Sequence, residues 1–309
     1  MLSFIGCISI PKTIEHDDSL SFTKINGYKF HTKIVGEQHS KTVIVIHGGP
    51  GGDFHYLESL SELSKEYRVV FYDQRGSGLS PRVSSESLTI EQNLKDLYGF
   101  VEKFSKEEPA ILIGHSWGAM LATAYINKYP KHISHVIAVE PGMLHKDAAK
   151  AFVSNIKETQ GIGDMFVLIR HMLAYPFISK VDKHEGFDYV MTQLLNRNKP
   201  GAPYQCENDS MPKDSFSRAG YDAFNTMLKP IMDNPELFNY ELTDNLTNYK
   251  GNLLFISSEC SVFGFDFQEK YHLPFLPLQT QHIKALKMGH NMITLNPGWS
   301  LQIIMDFLD

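Results

Sequence analysis

The sequence predicts an α/β fold, in which a mostly parallel, doubly wound sheet carries an inserted helical cap. From residue 42 onward, short runs rich in β-branched residues alternate with stretches of helical periodicity, the pattern of βαβ units. Residues 143–245 interrupt this alternation with helical stretches, such as residues 166–173, and with a section rich in proline, glycine and polar residues. We therefore predict a core domain of residues 1–142 and 246–309, with the cap at 143–245.

Eight strands are predicted. The first two form a hairpin around Asn26-Gly27, a dipeptide that favours the tight turn between antiparallel strands. The other six are short apolar runs between turn signals. The predicted strands cover residues 20–25, 28–35, 42–46, 68–72, 110–113, 134–139, 252–256 and 281–286.

Three helices are predicted around these strands. Thr89 and Gln92 have the spacing of a capping box, and apolar residues follow at intervals of four and three, so this helix packs one face on the sheet. A second helix is predicted from residue 117 to near Pro130, and a third closes the chain at residues 299–308.

Composition excludes several classes of function. A chain of 309 residues with 42% hydrophobic and 21% charged residues suits one large globular core. The net charge of −6 and the lack of a basic cluster argue against a nucleic-acid partner. No apolar run reaches the length of a membrane span, so no membrane partner is predicted.

The cysteines and the N-terminus bear on location. Cys7, Cys206 and Cys260 are odd in number and match no metal or disulfide spacing, so we expect reduced thiols in a cytoplasmic protein with no metal or cofactor. The apolar residues 2–10 have no basic leader and are too few for a full signal peptide. Residues 4–7 resemble a lipoprotein cleavage box, which makes export the alternative if translation starts upstream. The oligomeric state is left open.

The turn Gly114-His115-Ser116-Trp117-Gly118 carries the predicted nucleophile. It follows the strand at 110–113 and opens a helix, so its glycines permit the tight, strained turn that lifts Ser116 above a sheet. A serine hydroxyl is a poor nucleophile at neutral pH and needs a nearby base and donors for the oxyanion. A structural turn without chemistry is the alternative interpretation.

Two backbone N–H groups are predicted to bind the oxyanion. Trp117 supplies one, since it follows the nucleophile at a helix N-terminus. The other is expected from the glycine-rich loop at residues 47–52, directly after the strand at 42–46. Gly49 is the predicted donor, because without a side chain its backbone can approach a substrate oxygen. A plain tight turn is the alternative for this loop.

Three motifs together resemble the proline iminopeptidase branch of the α/β-hydrolase fold. The resemblance covers residues 40–142 and 250–309. It implies the α/β-hydrolase fold and a structural part for the loop after the strand at 68–72, whose Arg75 would brace the site. The motifs are His47-Gly48-Gly49-Pro50-Gly51, Asp73-Gln74-Arg75-Gly76-Ser77-Gly78 and Ser116-Trp117-Gly118.

His290 is the predicted base among 14 histidines. It lies between the last predicted strand and the last helix, and the chain order serine, acid, histidine is that of the α/β-hydrolase fold. His115 flanks the nucleophile, but a side chain beside this turn points away from the Ser116 hydroxyl. His115 is therefore expected to support packing.

The acid of the triad departs from the resembled pattern. Most relatives carry an aspartate in a Gly-x-x-Asp turn after the strand at 252–256, where this chain has Ser261. Glu140 is the first choice, because it ends the strand after the nucleophile helix and its long side chain can reach an imidazole from there. Glu259 is the alternative, with Asp266 or no acid as the remaining cases.

These residues imply acyl transfer to water, in which Ser116 attacks a carbonyl and His290 moves the proton. The expected activity is that of a serine hydrolase on a small amide or ester, in one form an aminopeptidase of the proline iminopeptidase type acting on short peptides. The alternatives are a carboxylesterase or lactonase, and a non-catalytic member of the fold that binds a small molecule.

Recognition of a free amine is the weak point of the aminopeptidase interpretation. The resembled branch reads the amine partly through a Trp-x-x-Trp-Glu motif, which this chain lacks because its only tryptophans are Trp117 and Trp299. Acidic residues of the predicted cap are the remaining candidate anchors, although charges on helices usually face solvent. They are Glu158, Asp164, Glu207 and Asp209.

Overall fold

A computed structural model describes residues 8–157, 172–197 and 202–309 of the chain. Within these ranges, eight strands form one sheet in the order β1-β2-β4-β3-β5-β6-β7-β8. β1 pairs with β2 and β2 with β4 in antiparallel fashion, and every other pair is parallel. The strands are β1 (Phe22–Ile25), β2 (Tyr28–Val35), β3 (Thr42–Ile46), β4 (Arg68–Tyr72), β5 (Ala110–His115), β6 (Ile133–Val139), β7 (Asn252–Ser258) and β8 (Gln281–Ala285).

Every predicted strand is found, with bounds that differ by two residues at most. The hairpin turns at Asn26 and Gly27, which both have positive φ, as the predicted turn requires. β7 continues to Ser258 because its last residues pair with β8 as far as Ala285. The mostly parallel sheet of the prediction is confirmed.

Helices account for most of the remaining described chain. The three predicted helices are found at Ile90–Phe104, Trp117–Lys128 and Pro297–Leu308, and most of the stretch predicted at 166–173 lies outside the described residues. The α-helices are α1 (Ile90–Phe104), α2 (Trp117–Lys128), α3 (Lys146–Lys157), α4 (Glu185–Leu195), α5 (Tyr221–Met227), α6 (Lys229–Asp233), α7 (Phe265–Tyr271), α8 (Met292–Leu295) and α9 (Pro297–Leu308). Short 3₁₀ segments lie at His55–Lys65, Ser85–Ser87, Pro130–His132, Tyr175–Phe177, Pro235–Leu237, Leu246–Asn248 and Leu273–Phe275.

Only half of the predicted capping box forms at α1. The Thr89 hydroxyl accepts a hydrogen bond from the Gln92 N–H at 3.1 Å, as expected of an N-cap. The Gln92 amide does not return to the cap; it donates to Asp96 at 2.9 Å. Asp96 also receives two hydrogen bonds of 2.8 Å from Arg75, so the glutamine completes a buried ionic contact.

Two apolar layers cover the sheet, one on each face. Ile44 and Ile46 of β3 join the cluster that includes α1 and α2, while Val43 and Val45 join the cluster under the 3₁₀ segment His55–Lys65 and α9. Alternate side chains of a strand point to opposite faces, so a fully buried strand needs apolar residues throughout. Among the described helices, none is both long and apolar enough to cross a membrane.

Residues 140–251 form the connection between β6 and β7 and contain α3 to α6. Buried charges attach this connection to the sheet. Arg218 is 1% exposed and binds Asp188 of α4, and the same Asp188 carboxylate accepts from Arg82, which follows β4. Asp53, after β3, accepts from the Ser217 and Arg218 N–H groups. The division into a core of 1–142 and 246–309 and a cap of 143–245 stays a prediction.

A disulfide joins Cys206 to Cys260, so the prediction of reduced thiols is wrong for these two residues. Cys7 lies outside the described residues. The pair is separated by 54 positions and meets only because the connection folds back onto the loop after β7. Disulfides persist mainly in oxidising compartments, so the pairing does not favour the predicted cytoplasmic location.

Two helical glycines provide a paired test of the packing of α1 against β1. A Cβ at Gly99 of α1 would overlap the Cγ2 atom of Ile25 in β1, whereas a Cβ at Gly298 of α9 would meet nothing within 4 Å. We expect Gly99→Ala to lower the free energy of unfolding by about 1–3 kcal/mol through overpacking. Gly298→Ala should raise it by up to about 1 kcal/mol, since alanine is the better helix former. Urea denaturation measures both, and equal effects would contradict the predicted contact.

Candidate active site

The predicted site residues follow strands that end at one edge of the sheet. The glycine-rich loop follows β3, Ser116 follows β5 and Glu140 follows β6. His290 lies in the loop between β8 and α8. Because β3, β5, β6, β7 and β8 are parallel, their carboxyl ends meet at the same edge, where α/β sheets bind ligands.

The turn around Ser116 requires its glycines. Ser116 has φ of 56°, in the left-handed region that side chains seldom occupy. A Cβ at Gly114 would overlap the Gly118 carbonyl, and a Cβ at Gly118 would overlap the Ile46 carbonyl of β3. The neighbouring backbones thus hold Ser116 in a strained conformation above the sheet.

His290 is held through both backbone polar groups. Its N–H donates to the Tyr204 carbonyl at 2.7 Å, and its carbonyl accepts from the His115 Nε2 atom at 2.9 Å. The imidazole is buried and meets the Phe263 ring edge-on at 4.8 Å between centroids. Ser116 and His290 line the same cavity.

Glu140 lies opposite the imidazole. Its Oε1 atom is 3.4 Å from His290 Nδ1, and neither of these buried atoms has a partner of hydrogen-bonding geometry among the described residues. The second oxygen accepts from the Ser258 N–H at 3.0 Å. Glu140 is fully buried and has φ of 48°, a strained backbone of the kind that clusters at functional sites.

Several contacts keep the Glu140 carboxyl ionised. Burial by itself would raise its pKa, because a charge loses hydration inside the protein. Contacts with His290, Ser261 and Ser258, together with electrostatic attraction to the imidazolium form of His290, lower the pKa below its usual value instead. Ser261, at which the resembled family is expected to carry its aspartate, is thus one of the groups that lower the pKa of the Glu140 carboxyl.

The other acid candidates lie apart from the imidazole. The Glu259 side chain is 39% exposed; it accepts from the Lys287 N–H at 2.8 Å and lies 3.9 Å from the Lys284 ammonium. Asp266 is exposed in the first turn of α7. In the described part of the chain, Glu140 is the carboxylate that the structure brings to His290.

The backbone N–H groups of Gly49 and Trp117 are open. The Gly48 N–H donates to the Tyr56 hydroxyl at 2.7 Å, but no acceptor among the described residues takes the Gly49 or Trp117 N–H. Gly49 has φ of 129°, and a Cβ there would lie 2.6 Å from the Gly51 nitrogen, so only glycine fits. Both groups can donate to a substrate oxygen, and this role stays a prediction.

Gln74 joins the two loops of the site, a function that sequence reasoning assigned to Arg75. Its backbone N–H donates to His47 Nε2 at 2.9 Å, and its amide nitrogen donates to the His47 carbonyl at 2.7 Å. Its amide oxygen accepts from the Trp117 indole at 3.0 Å. Arg75 instead pairs with Asp96 on α1. The available signal was a glutamine inside the motif at residues 73–78, because its amide carries both donors and an acceptor.

The cavity at Ser116 has a volume of about 290 Å³ and mostly apolar walls. None of the described residues that line it is acidic or basic apart from its two histidines, His115 and His290. Side chains of the β6–β7 connection supply much of the wall, among them Phe152, Ile156, Leu195, Phe216, Phe224 and Leu228.

The acidic residues suggested as amine anchors do not line this cavity where they are described. Glu207 is exposed, and Asp209 accepts a hydrogen bond from the Cys206 N–H at 2.9 Å. Glu158 and Asp164 lie outside the described residues. Within those residues, no three His, Cys, Asp or Glu side chains are grouped so that they could hold a metal ion.

Comparison with known proteins gives one family match and several relatives. Residues 41–166 match the family described as alpha/beta hydrolase fold. A proline iminopeptidase from the fungus Pestalotiopsis fici is 34% identical over 135 residues, or 42% of this chain and 47% of the relative. The chain thus spans about half the length of this curated relative.

Solved structures match almost the whole chain. A proline iminopeptidase from Mycobacterium smegmatis has a TM-score of 0.63 at 16% identity, over 94% of this chain and 97% of its own. An esterase from Thermogutta terrifontis has a TM-score of 0.64 at 18% identity, over 94% and 96%. At such identities the likeness concerns the fold. Together, the family match over residues 41–166 and the solved structures show the α/β-hydrolase fold, and the sequence similarity to a proline iminopeptidase is limited to 42% of the chain.

Proposed function

We propose that the chain is a serine hydrolase that cleaves esters with an apolar acyl group. The observation that carries this proposal is the buried Glu140 carboxylate opposite His290, in a cavity that also contains Ser116. An isolated buried carboxylate is costly, so its pairing with an imidazole beside a strained serine supports a triad. We also propose that the β6–β7 connection acts as a cap over this site.

The chemistry follows from the arrangement. Ser116 attacks the ester carbonyl while His290 takes its proton, and the Gly49 and Trp117 N–H groups stabilise the oxyanion. The alcohol leaves with that proton. Water then attacks the acyl-enzyme with His290 again as base, releasing the acid and restoring the serine. Glu140 keeps the Nδ1–H tautomer of His290 oriented and stabilises the imidazolium ion.

The preference for an apolar acyl group rests on the cavity wall. An α-ammonium group buried there would lose its hydration without a carboxylate among the described lining residues to replace it. An aliphatic or aromatic acyl chain gains free energy from the same surface, about 0.8 kcal/mol for each buried methylene group.

An aminopeptidase is the second candidate. It is favoured by the 34% identity with a proline iminopeptidase, in a stretch that covers 42% of this chain. This activity requires a carboxylate that binds the free α-amine of the substrate. Glu158 and Asp164 are the acidic residues that we would assign to that role.

A fluorophosphonate probe tests the nucleophile directly. We expect the wild-type protein to be labelled at Ser116 and to lose hydrolytic activity in parallel, because the probe reacts with activated serines. Ser116→Ala should remain folded and unlabelled. Mass spectrometry of the labelled peptide identifies the site. A folded wild-type protein without label at Ser116 would contradict the proposal and favour a ligand-binding role.

Two glutamates provide a matched test of the acid. We expect Glu140→Gln to lower kcat by about 10³- to 10⁴-fold, because the amide cannot stabilise the imidazolium ion or fix its tautomer. Glu259→Gln changes an exposed side chain and should keep kcat within about twofold. Circular dichroism and a thermal melt control for folding. The opposite pattern would assign the acid role to Glu259.

A substrate panel separates the two candidate activities. We expect kcat/KM for p-nitrophenyl esters to rise from acetate to longer acyl chains, by at most about fourfold for each added methylene group, until the cavity is filled. Prolyl and other aminoacyl arylamides should be poorer substrates. A strict requirement for a free α-amine would refute the ester proposal and support the aminopeptidase.

A further inference from the structure

A buried chain of three hydrogen bonds links the two sides of the proposed active site. The Gly48 N–H lies 2.7 Å from the Tyr56 hydroxyl oxygen, which lies 2.8 Å from His115 Nδ1. His115 Nε2 lies 2.9 Å from the His290 carbonyl oxygen. One end of this hydrogen-bond chain is therefore the loop of the predicted oxyanion donor, and the other end is the backbone of the predicted base.

The two ends and the charge state of His115 together determine the direction of every bond. A backbone N–H can only donate and a backbone carbonyl can only accept, so Nε2 must carry a proton, and the Nδ1 atom of a neutral imidazole must then accept the Tyr56 hydroxyl proton. Burial, followed by repulsion from the imidazolium form of His290, lowers the pKa of His115 to about 3. His115 is therefore neutral and confined to one tautomer at neutral pH.

This hydrogen-bond chain constrains both the glycine-rich loop that contains Gly49 and the backbone of His290. Gly48 is packed closely, since a Cβ there would lie 2.8 Å from the Tyr56 hydroxyl and 3.1 Å from the Ser116 Cβ atom. With the Gly48 N–H occupied, the next N–H in the loop, that of Gly49, is left to face a substrate. At the other end, His115 fixes the carbonyl of the residue whose imidazole lies opposite Glu140.

We propose that Tyr56 and His115 are positioning residues that set the distance between the oxyanion donor Gly49 and the base His290. Neither acts on the substrate in this scheme. Both act through the backbone of a neighbouring residue, and the imidazole of His115 does more than support packing. The catalytic consequence rests on the proposed function, whereas the hydrogen-bond chain itself can be measured without any activity.

Tyr56→Phe removes the central hydroxyl and keeps the ring. We expect kcat for an ester to fall by about 10- to 100-fold, the size of effect that a small misplacement of catalytic groups causes. KM should stay within about twofold, because the apolar wall is retained. Tyr125→Phe is the control, since the Tyr125 hydroxyl is buried without a hydrogen-bond partner among the described residues. A kcat for Tyr56→Phe equal to that of the control would overturn the proposal.

Two substitutions at His115 separate its contact with Tyr56 from its contact with His290. An asparagine places its amide near the Nδ1 position and can keep the contact with Tyr56, whereas a glutamine reaches the Nε2 position and can keep the contact with His290. In the His115→Gln background, Tyr56→Phe should lower kcat little further, because that bond is already lost. In the His115→Asn background it should lower kcat again. Fully additive losses in the glutamine background would refute the coupling.

The tautomer of His115 gives a readout independent of catalysis and of any substitution. In the wild-type protein labelled with ¹⁵N-histidine, NMR should show a protonated Nε2 and an unprotonated Nδ1 for His115 at neutral pH, with no titration near the usual histidine pKa. The opposite tautomer, or such a titration, would overturn the proposal. If His115 has the expected tautomer but Ser116 is not labelled by fluorophosphonate, the hydrogen-bond chain stands and the proposed hydrolase function fails.

Discussion

The contact between the buried Glu140 carboxylate and the His290 imidazole is the interaction on which the rest of the site depends. A fully buried charge is stable only when hydrogen bonds and an opposite charge replace its hydration. The Ser258 N–H supplies one such bond, and it is in reach because β6 and β7 are neighbouring parallel strands. The pairing of β6 with β7 therefore determines the position of the Glu140 carboxylate, whereas His290 comes from the distant loop after β8.

The surroundings of this pair restrict what can enter. Apolar side chains of the β6–β7 connection line the cavity at Ser116. The connection is attached to the core by the Arg218, Asp188 and Arg82 cluster and by the Cys206–Cys260 disulfide. The buried charged residues Arg218 and Asp188 thus serve attachment, while the described surface of the connection at the cavity is apolar. This apolar surface is the reason that we propose an ester hydrolase, although the sequence similarity favours an aminopeptidase.

Much of the sheet could be predicted because the pattern that marks each strand lies within a few neighbouring residues. Buried parallel strands are short apolar runs such as Thr42–Ile46, and the hairpin is marked by Asn26 and Gly27. The contacts that hold the elements together could not be predicted from the sequence. The bracing glutamine Gln74, the Arg75–Asp96 pair and the disulfide all join residues far apart in sequence, where spacing carries no information.

By itself, the sequence determined the fold class and the local environment of Ser116, because the strand, the glycines and the following helix are all encoded within a few neighbouring residues. It ranked Glu140 first as the triad acid but kept Glu259 as the alternative and Asp266 or no acid as further cases, since Glu140 and Glu259 both follow strands whose ends meet at one edge. Only the tertiary structure decided which carboxylate lies against His290. The reason is that a triad is defined by distances across the sheet, and those depend on strand order and burial.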